Sequence, residues 1–244
     1  VYDATVAVRD ADSKNKRPAK PFIADIVAPT GADLNAAIAT AAFRVGYERV
    51  NSNPTARSNY SNAYNAYLAA IPDGQAKTDG IAVGEATAQA LLAARPKDNF
   101  YNPSTYSNPA ANPGVWQSVL AATPYATAGA NDYAMAFTMP LSASSPDARR
   151  IKPPPRLTSG KYRRDFEETK AYGSLTSTTR TPAMTNVVQF WTESGFTLWS
   201  RNVRDIVSAR GLDEFEAARA LAAFSVATGD AMLACFESKY AHMF

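Results

Sequence analysis

Histidine and cysteine are nearly missing from this chain: its 244 residues include one of each, His242 and Cys235. A single cysteine excludes an internal disulfide. A Ser-His-Asp triad would have to use His242, which lies at the very end of the chain. A zinc site needs three or four His, Cys or carboxylate ligands, and His242 with Cys235 is too few. We therefore predict neither a serine-nucleophile triad nor a metal site.

Long apolar runs are also missing. No stretch approaches the roughly 18 apolar residues that a membrane-spanning helix needs, and no signal peptide is visible. The chain opens in residues 1–8, which resemble the middle of a helix. We expect no membrane span, and we expect both ends to belong to a longer protein, whose missing front could have carried a signal peptide.

The composition is that of a globular protein, with 46% hydrophobic residues, 11% aromatic residues and a net charge of +3. Such a chain buries enough apolar surface for a sizeable core. The mild positive charge favours small anions and does not indicate nucleic acid as a partner.

Apolar residues recur at three- and four-residue spacing along most of the chain, while no segment has the alternating pattern of a strand. The helix starts are marked by a capping box Thr30–Asp33, Asn53-Pro54, Thr181-Pro182 and a capping box Asp213–Glu216. Gly173 and Gly211 mark helix ends. These signals predict an all-α fold, a multi-helix bundle in a single domain spanning residues 1–244.

A long irregular connection interrupts the bundle between about residues 96 and 157, where ten of the 16 prolines fall between residues 96 and 155. Its one firm landmark is Pro113–Gln117. Gly80 and Gly84 lie four residues apart in a helical stretch, and we interpret them as a close helix contact and not as a phosphate loop, which would need a preceding strand and a Gly-Lys-Ser/Thr ending.

Two residues of the last helix stand out by their apolar surroundings. Asp230 follows Val226–Gly229, so we predict a buried carboxylate with a partner such as an arginine. Cys235 lies in an apolar run that we predict to be buried, together with Phe215, Leu221, Phe224, Met232 and Phe236.

Seven cations crowd residues 149–164 without an intervening acid: Arg149, Arg150, Lys152, Arg156, Lys161, Arg163 and Arg164. A solvated face explains such a run most simply. The alternative is that it steers anions toward a nearby cleft, in which case neutralising Arg149, Arg150 and Lys152 should lower the on-rate of an anionic ligand in a salt-dependent way.

The end of the chain resembles the start of the Lys-x6-Arg-Pro signature of vanadium-dependent haloperoxidases and the related type 2 phosphatidic acid phosphatases. Lys239 matches the lysine, and five of the six spacer residues, Tyr240–Phe244, are present, so the arginine would fall two positions after Phe244. Further blocks in the family's order are Tyr2–Ala4, Ile71–Gly74 with Gly80–Gly84, Pro113–Gln117, and Pro153–Pro155 through Asp165–Lys170 to Thr178–Thr181. One departure is Phe236, where the family often has tryptophan.

This resemblance implies a helical bundle with a vanadate pocket, in which Lys239 would be the catalytic and cofactor-binding lysine and Phe236 and Tyr240 would form the pocket wall. The implied cofactor is vanadate, or phosphate in the phosphatase case, held together with donors that follow the lysine. The implied partners are hydrogen peroxide, halide and other small anions, and the implied location is outside the cytoplasm.

The leading hypothesis is peroxide-driven halide oxidation by a haloperoxidase-like enzyme whose site is completed beyond this chain. Phosphomonoester hydrolysis and a non-catalytic structural subunit that keeps the fold are the alternatives, and the protein would act as a homo-oligomer or as a subunit of a larger assembly. We expect the 244-residue chain alone to be inactive, because a lone lysine cannot hold an oxyanion in water.

Overall fold

The computed structural model describes residues 1–13, 18–50, 53–95, 109–117 and 133–244, and these residues form helices and irregular segments without strands. They contain the α-helices α1 (Tyr2–Asp12), α2 (Leu34–Arg49), α3 (Pro54–Ala69), α4 (Gln75–Ala94), α5 (Gly160–Gly173), α6 (Pro182–Phe190), α7 (Gly195–Ala209) and α8 (Glu214–His242). The predicted all-α class is confirmed.

The chain divides into two compact units, each formed by two stretches of sequence. Unit 1 consists of Val1–Lys97 and Val207–Ser225, and unit 2 of Asp98–Ile206 and Val226–Phe244. Helix α8 therefore contributes residues to both units. The single domain spanning residues 1–244 stays a prediction.

Unit 1 is built around a contact between α2 and α4, with α1 packed on both helices. Small side chains dominate its core, which consists of Ala4, Ala7, Val8, Ala28, Ala32, Ala37, Ala41 and Val83. Gly80 and Gly84 of α4 both lie against the backbone of α2. The predicted close helix contact at this glycine pair is confirmed.

The predicted capping box at Thr30 is wrong by one turn. Asp33 is itself the N-cap of α2, and its carboxylate accepts a hydrogen bond from the amide of Ala36 at 2.7 Å. Thr30 precedes Gly31, whose φ of 81° is left-handed, so the chain turns there before it enters the helix. The other predicted caps are confirmed at Asn53, Thr181 and Asp213.

The predicted irregular connection of residues 96–157 lies partly outside the described residues. Its described parts contain only two short 3-10 helices, Tyr133–Phe137 and Pro146–Arg149, and no α-helix before α5. We refer to residues 141–151 as the strap, because they run along the C-terminal part of α8 in unit 2 and hydrogen-bond to its side chains.

The predicted buried face of α8 is wrong. Cys235 is exposed, and Phe215, Leu221, Phe224, Met232 and Phe236 are only half-buried. The fully buried residues of this helix include three polar ones, Asp230, Glu237 and Ser238. The reason is that Asp230, Glu237 and Ser238 are buried by their hydrogen bonds to the strap. The spacing of apolar residues along the helix does not reveal such contacts.

Candidate functional site

Lys239 lies in the last turn of α8 with an exposed side chain. Its ammonium nitrogen is 5.4 Å from the ring centre of Phe236 and 5.3 Å from that of Tyr240. Cation–π attraction acts over this distance and holds the lysine against the rings. The three residues singled out from the sequence are therefore neighbours on one helix.

A small aromatic cluster packs around Tyr240, the residue that follows Lys239. Tyr240 is 8% exposed and packs against Ala136, with Trp116, Tyr133, Phe236 and Met243 around this pair. The ring of Tyr133 meets Tyr240 edge-on at 4.9 Å between centres, an arrangement that aromatic pairs prefer. The amide of Trp116 donates to the carbonyl of Met243 at 2.8 Å, which ties the Pro113–Gln117 landmark to the end of α8.

Asp230 holds the start of the strap. It is 4% exposed and accepts hydrogen bonds from the amides of Leu141 and Ser142, each at 2.7 Å, and from the Ser142 hydroxyl at 2.5 Å. Its predicted burial is confirmed, but its direct partners are backbone amides and a serine, while Arg149 acts only as a nearby charge.

Burial by itself would raise the pKa of Asp230. The hydrogen bonds from Ser142 and from the two amides outweigh burial, so the pKa lies below its ordinary value and the carboxylate is ionised at neutral pH. This group is consequently a structural anion and not a proton donor.

Glu237, Ser238 and His242 hold the end of the strap. The guanidinium of Arg150 donates through two nitrogens to one oxygen of Glu237, the Nε distance being 2.7 Å. Ser238 accepts from the amide of Ile151 at 3.0 Å, and the His242 ring nitrogen lies 2.9 Å from the Ile151 carbonyl. The only histidine is thus engaged with backbone and is not positioned as a base beside a nucleophile.

These contacts change the interpretation of the basic run at residues 149–164. All seven cations are exposed, as a solvated face requires. Arg150, however, is committed to Glu237 and Arg149 donates to Ser142 at 3.4 Å. Neutralising Arg149 and Arg150 would remove their contacts with Ser142 and Glu237. A lower on-rate of an anionic ligand could then come from a displaced strap and not from lost steering.

Described residues line several open concavities, of which two bear on the site. One, of about 890 Å³, lies in unit 1 and is lined by Arg9, Phe215 and Arg219 among others. The guanidinium of Arg9 sits 4.0 Å from the centre of the Phe215 ring. The other, of about 420 Å³, lies at the start of α5. Neither concavity includes Lys239.

Sequence reasoning missed the partners of the strap. Nothing around Ser142 or Ser238 distinguishes them from other serines, and each meets its partner across 87 or 88 residues. It also missed Asp3, whose carboxylate accepts from three successive amides, those of Phe22, Ile23 and Ala24, at 2.6 to 2.8 Å. The only available signal was a charged residue inside an apolar helical stretch.

Within the part of the chain that the structure describes, no group of three or more His, Cys, Asp or Glu side chains is arranged to hold a metal ion. In the same part, α8 is the one helix long and apolar enough to cross a bilayer by length and composition. Its apolar window is 11% buried, and a span would carry Asp230 and Glu237 into hydrocarbon, where charged side chains are costly. The absence of a membrane span stays a prediction.

Comparison with protein-family models, with curated proteins and with solved structures found no match to this chain.

Proposed function

We propose that this chain forms part of a vanadium-dependent haloperoxidase-like enzyme in which Lys239 binds the oxyanion. The order of the sequence blocks that end in Lys239 supports this proposal. The observation that carries it is the state of the ammonium group, which is exposed and has no carboxylate within 4.0 Å among the described residues. A lysine free of an acidic partner is available to an anionic ligand.

The described residues do not by themselves fit vanadate. A tetrahedral oxyanion binds where several cationic donors converge, and Lys239 supplies one ammonium beside two aromatic rings. The proposal therefore requires the arginine expected two positions after Phe244, followed by the family's Ser-Gly-His segment and a second arginine with a histidine. We assign Lys239 the binding of one oxygen and derive no reaction step from it.

Lys239→Met in the protein extended past Phe244 tests the assignment. Removing a charge-assisted donor should weaken vanadate binding by about tenfold or more, as measured by titration calorimetry. Lys170→Met is the matched control, because Lys170 is likewise an exposed lysine in the last turn of its helix without a described acidic partner, and it should leave the affinity unchanged. Equal affinity of the Lys239 variant and the wild type would remove Lys239 from the site.

The same protein separates the two enzyme activities. Halogenation of a phenol that requires halide, peroxide and added vanadate supports the haloperoxidase. Hydrolysis of an aryl phosphate that vanadate inhibits, without any halide oxidation, supports the phosphatase alternative.

A structural subunit is the second candidate, and a specific observation favours it. Helices α6 and α7 expose large apolar side chains, among them Phe190 at 62% and Phe196 at 61%, and Trp191, the C-cap of α6, is 55% exposed. Exposed aromatic residues are enriched at protein interfaces. An extended protein that lacks both the Arg-Pro pair and any oxyanion binding would support this candidate over the enzyme.

A further inference from the structure

Residues 149–166 of unit 2 form an unusual surface, which we call the basic face. Its residues include seven of the chain's 25 lysines and arginines and one of its 22 acids, Asp165, so the other 18 cations are outnumbered by the other 21 acids. The positive charge of the protein is therefore concentrated here. A concentrated charge attracts an anionic surface far more than the net charge of +3 suggests.

Four of these cations are available to a partner. Arg150 pairs with Glu237, Lys161 pairs with Asp165 at 2.6 Å, and Arg149 contacts Ser142. The remaining four are exposed and have no carboxylate within 4.0 Å among the described residues: Lys152, Arg156, Arg163 and Arg164.

Exposed apolar side chains lie in the same segment as these cations. Ile151 is 66% exposed, Phe166 is 51% exposed and Leu157 is 38% exposed. Leu157 and Phe166 line the 420 Å³ concavity at the start of α5 together with Tyr162 and Arg163. Arg163 therefore borders the same concavity as Leu157, Tyr162 and Phe166, and the segment exposes both cations and apolar groups.

The basic face is held in place before any partner arrives. Ile151 is hydrogen-bonded on both sides, to Ser238 and to His242 of α8. Pro153–Pro155 form a stiff link, and Ser159 caps α5 by accepting from the amide of Tyr162 at 3.1 Å. A surface that is already ordered loses little conformational entropy on binding.

We propose that the basic face binds the surface of a bilayer that contains anionic phospholipid. The four available cations would lie at the headgroup phosphates, and Ile151, Leu157 and Phe166 would enter the interface between headgroups and acyl chains. Nucleic acid fits less well, because Phe166 is the one exposed ring among the three apolar side chains named, whereas a bilayer interface accepts the aliphatic Ile151 and Leu157 as readily as the ring. This peripheral binding does not depend on the function proposed for Lys239.

Co-sedimentation with vesicles tests the proposal on the chain as it exists. Binding should be strong to phosphatidylcholine vesicles that contain phosphatidylserine, weak to pure phosphatidylcholine, and reduced by salt. Each cation near an anionic bilayer contributes roughly fivefold to partitioning. The double variant Arg163→Gln/Arg164→Gln should therefore lose roughly 25-fold.

Arg204→Gln/Arg210→Gln is the matched control, because it removes the same charge from two exposed arginines outside the basic face. It should bind within about twofold of the wild type if the location of the charge matters. Ile151→Ser/Phe166→Ser should weaken binding while leaving the salt dependence unchanged, since it removes no charge. Circular dichroism verifies that each variant is folded.

Three outcomes would overturn the proposal. Equal losses in the two arginine variants would mean that net charge alone drives binding. Equal binding to vesicles with and without phosphatidylserine would mean that anionic lipid is not recognised. Displacement from vesicles by a single-stranded RNA oligonucleotide at a lower phosphate concentration than that of the lipid would assign the basic face to nucleic acid.

Discussion

Two buried aspartates perform the same task in different parts of the chain. The carboxylates of Asp3 in α1 and Asp230 in α8 each accept hydrogen bonds from successive backbone amides of an irregular segment. The backbone amides of irregular segments have no secondary-structure partners, and the two oxygens of one carboxylate can accept hydrogen bonds from two or three of them. A charged residue in an apolar helical stretch is in both cases an anchor for a loop.

Asp230→Asn should destabilise unit 2 by about 1.5 to 3 kcal/mol, because the amide side chain has one acceptor oxygen where the carboxylate has two. Chemical denaturation followed by circular dichroism measures this change. Asp205→Asn on the exposed side of α7 is the control and should stay within about 0.5 kcal/mol of the wild type. A loss at Asp230 no larger than that of the control would show that the strap does not depend on the carboxylate.

The same carboxylate predicts an acid dependence. Because the pKa of Asp230 is lower in the folded protein than its ordinary value of 3.8, its stabilisation is fully present above the unfolded-state pKa and is lost as pH falls through the folded-state pKa. The stability of the wild type should therefore decline more steeply below about pH 4 than that of Asp230→Asn. Parallel declines in a pH series of denaturation curves would contradict the assigned pKa direction.

At the scale of helices, the contact between α2 and α4 depends on the absence of side chains. A Cβ atom at Gly84 would lie 2.5 Å from the carbonyl oxygen of Ala37 and 2.6 Å from the Cβ of Thr40. Real Cβ atoms do not approach so closely. The two helices can approach as they do only with glycine at this position.

Gly84→Ala should therefore destabilise unit 1 by about 1 to 3 kcal/mol through overpacking. Gly229→Ala in α8 is an informative comparison, because a Cβ there meets nothing within 4 Å. That variant should gain up to about 1 kcal/mol, since alanine favours a helix interior over glycine. Thermal melts of both proteins test the pair, and a stabilised Gly84→Ala would mean that the helices are further apart in solution.

For the molecule as a whole, two of its three tryptophans are exposed, Trp191 as the C-cap of α6 and Trp199 within α7. Trp191 is 55% exposed and Trp199 is 48% exposed, with 6.2 Å between their ring centres. Trp116 instead packs against the aromatic cluster around Tyr240. Exposed apolar surface of this kind marks interaction sites.

Acrylamide should therefore quench most of the tryptophan fluorescence, because Trp191 and Trp199 are exposed. Trp191→Phe/Trp199→Phe should leave a weaker, blue-shifted and less quenchable signal from Trp116, because a packed indole is shielded from water. If acrylamide quenches the wild-type fluorescence poorly, then Trp191 and Trp199 are covered in solution, and the apolar surface of α6 and α7 is not free.

The sequence by itself determined the helices and many of their ends. Asn53, Thr181 and the Asp213–Glu216 pair cap their helices as predicted, because a cap acts on amides two or three residues away. The Gly80 and Gly84 contact was also predictable, since glycine repeated on one face of a helix permits close approach. Thr30 failed because a left-handed Gly31 inserts a turn that spacing alone does not reveal.

Only the tertiary structure decided which side chains of α8 are buried and what surrounds Lys239. Asp230 meets its partners 88 and 89 residues away, and Glu237 meets Arg150 across 87 residues. No local pattern encodes such pairings, because they depend on where the strap returns to the helix. Hydrophobic periodicity therefore predicted a buried Cys235, while long-range polar contacts buried Asp230, Glu237 and Ser238 and left the cysteine exposed.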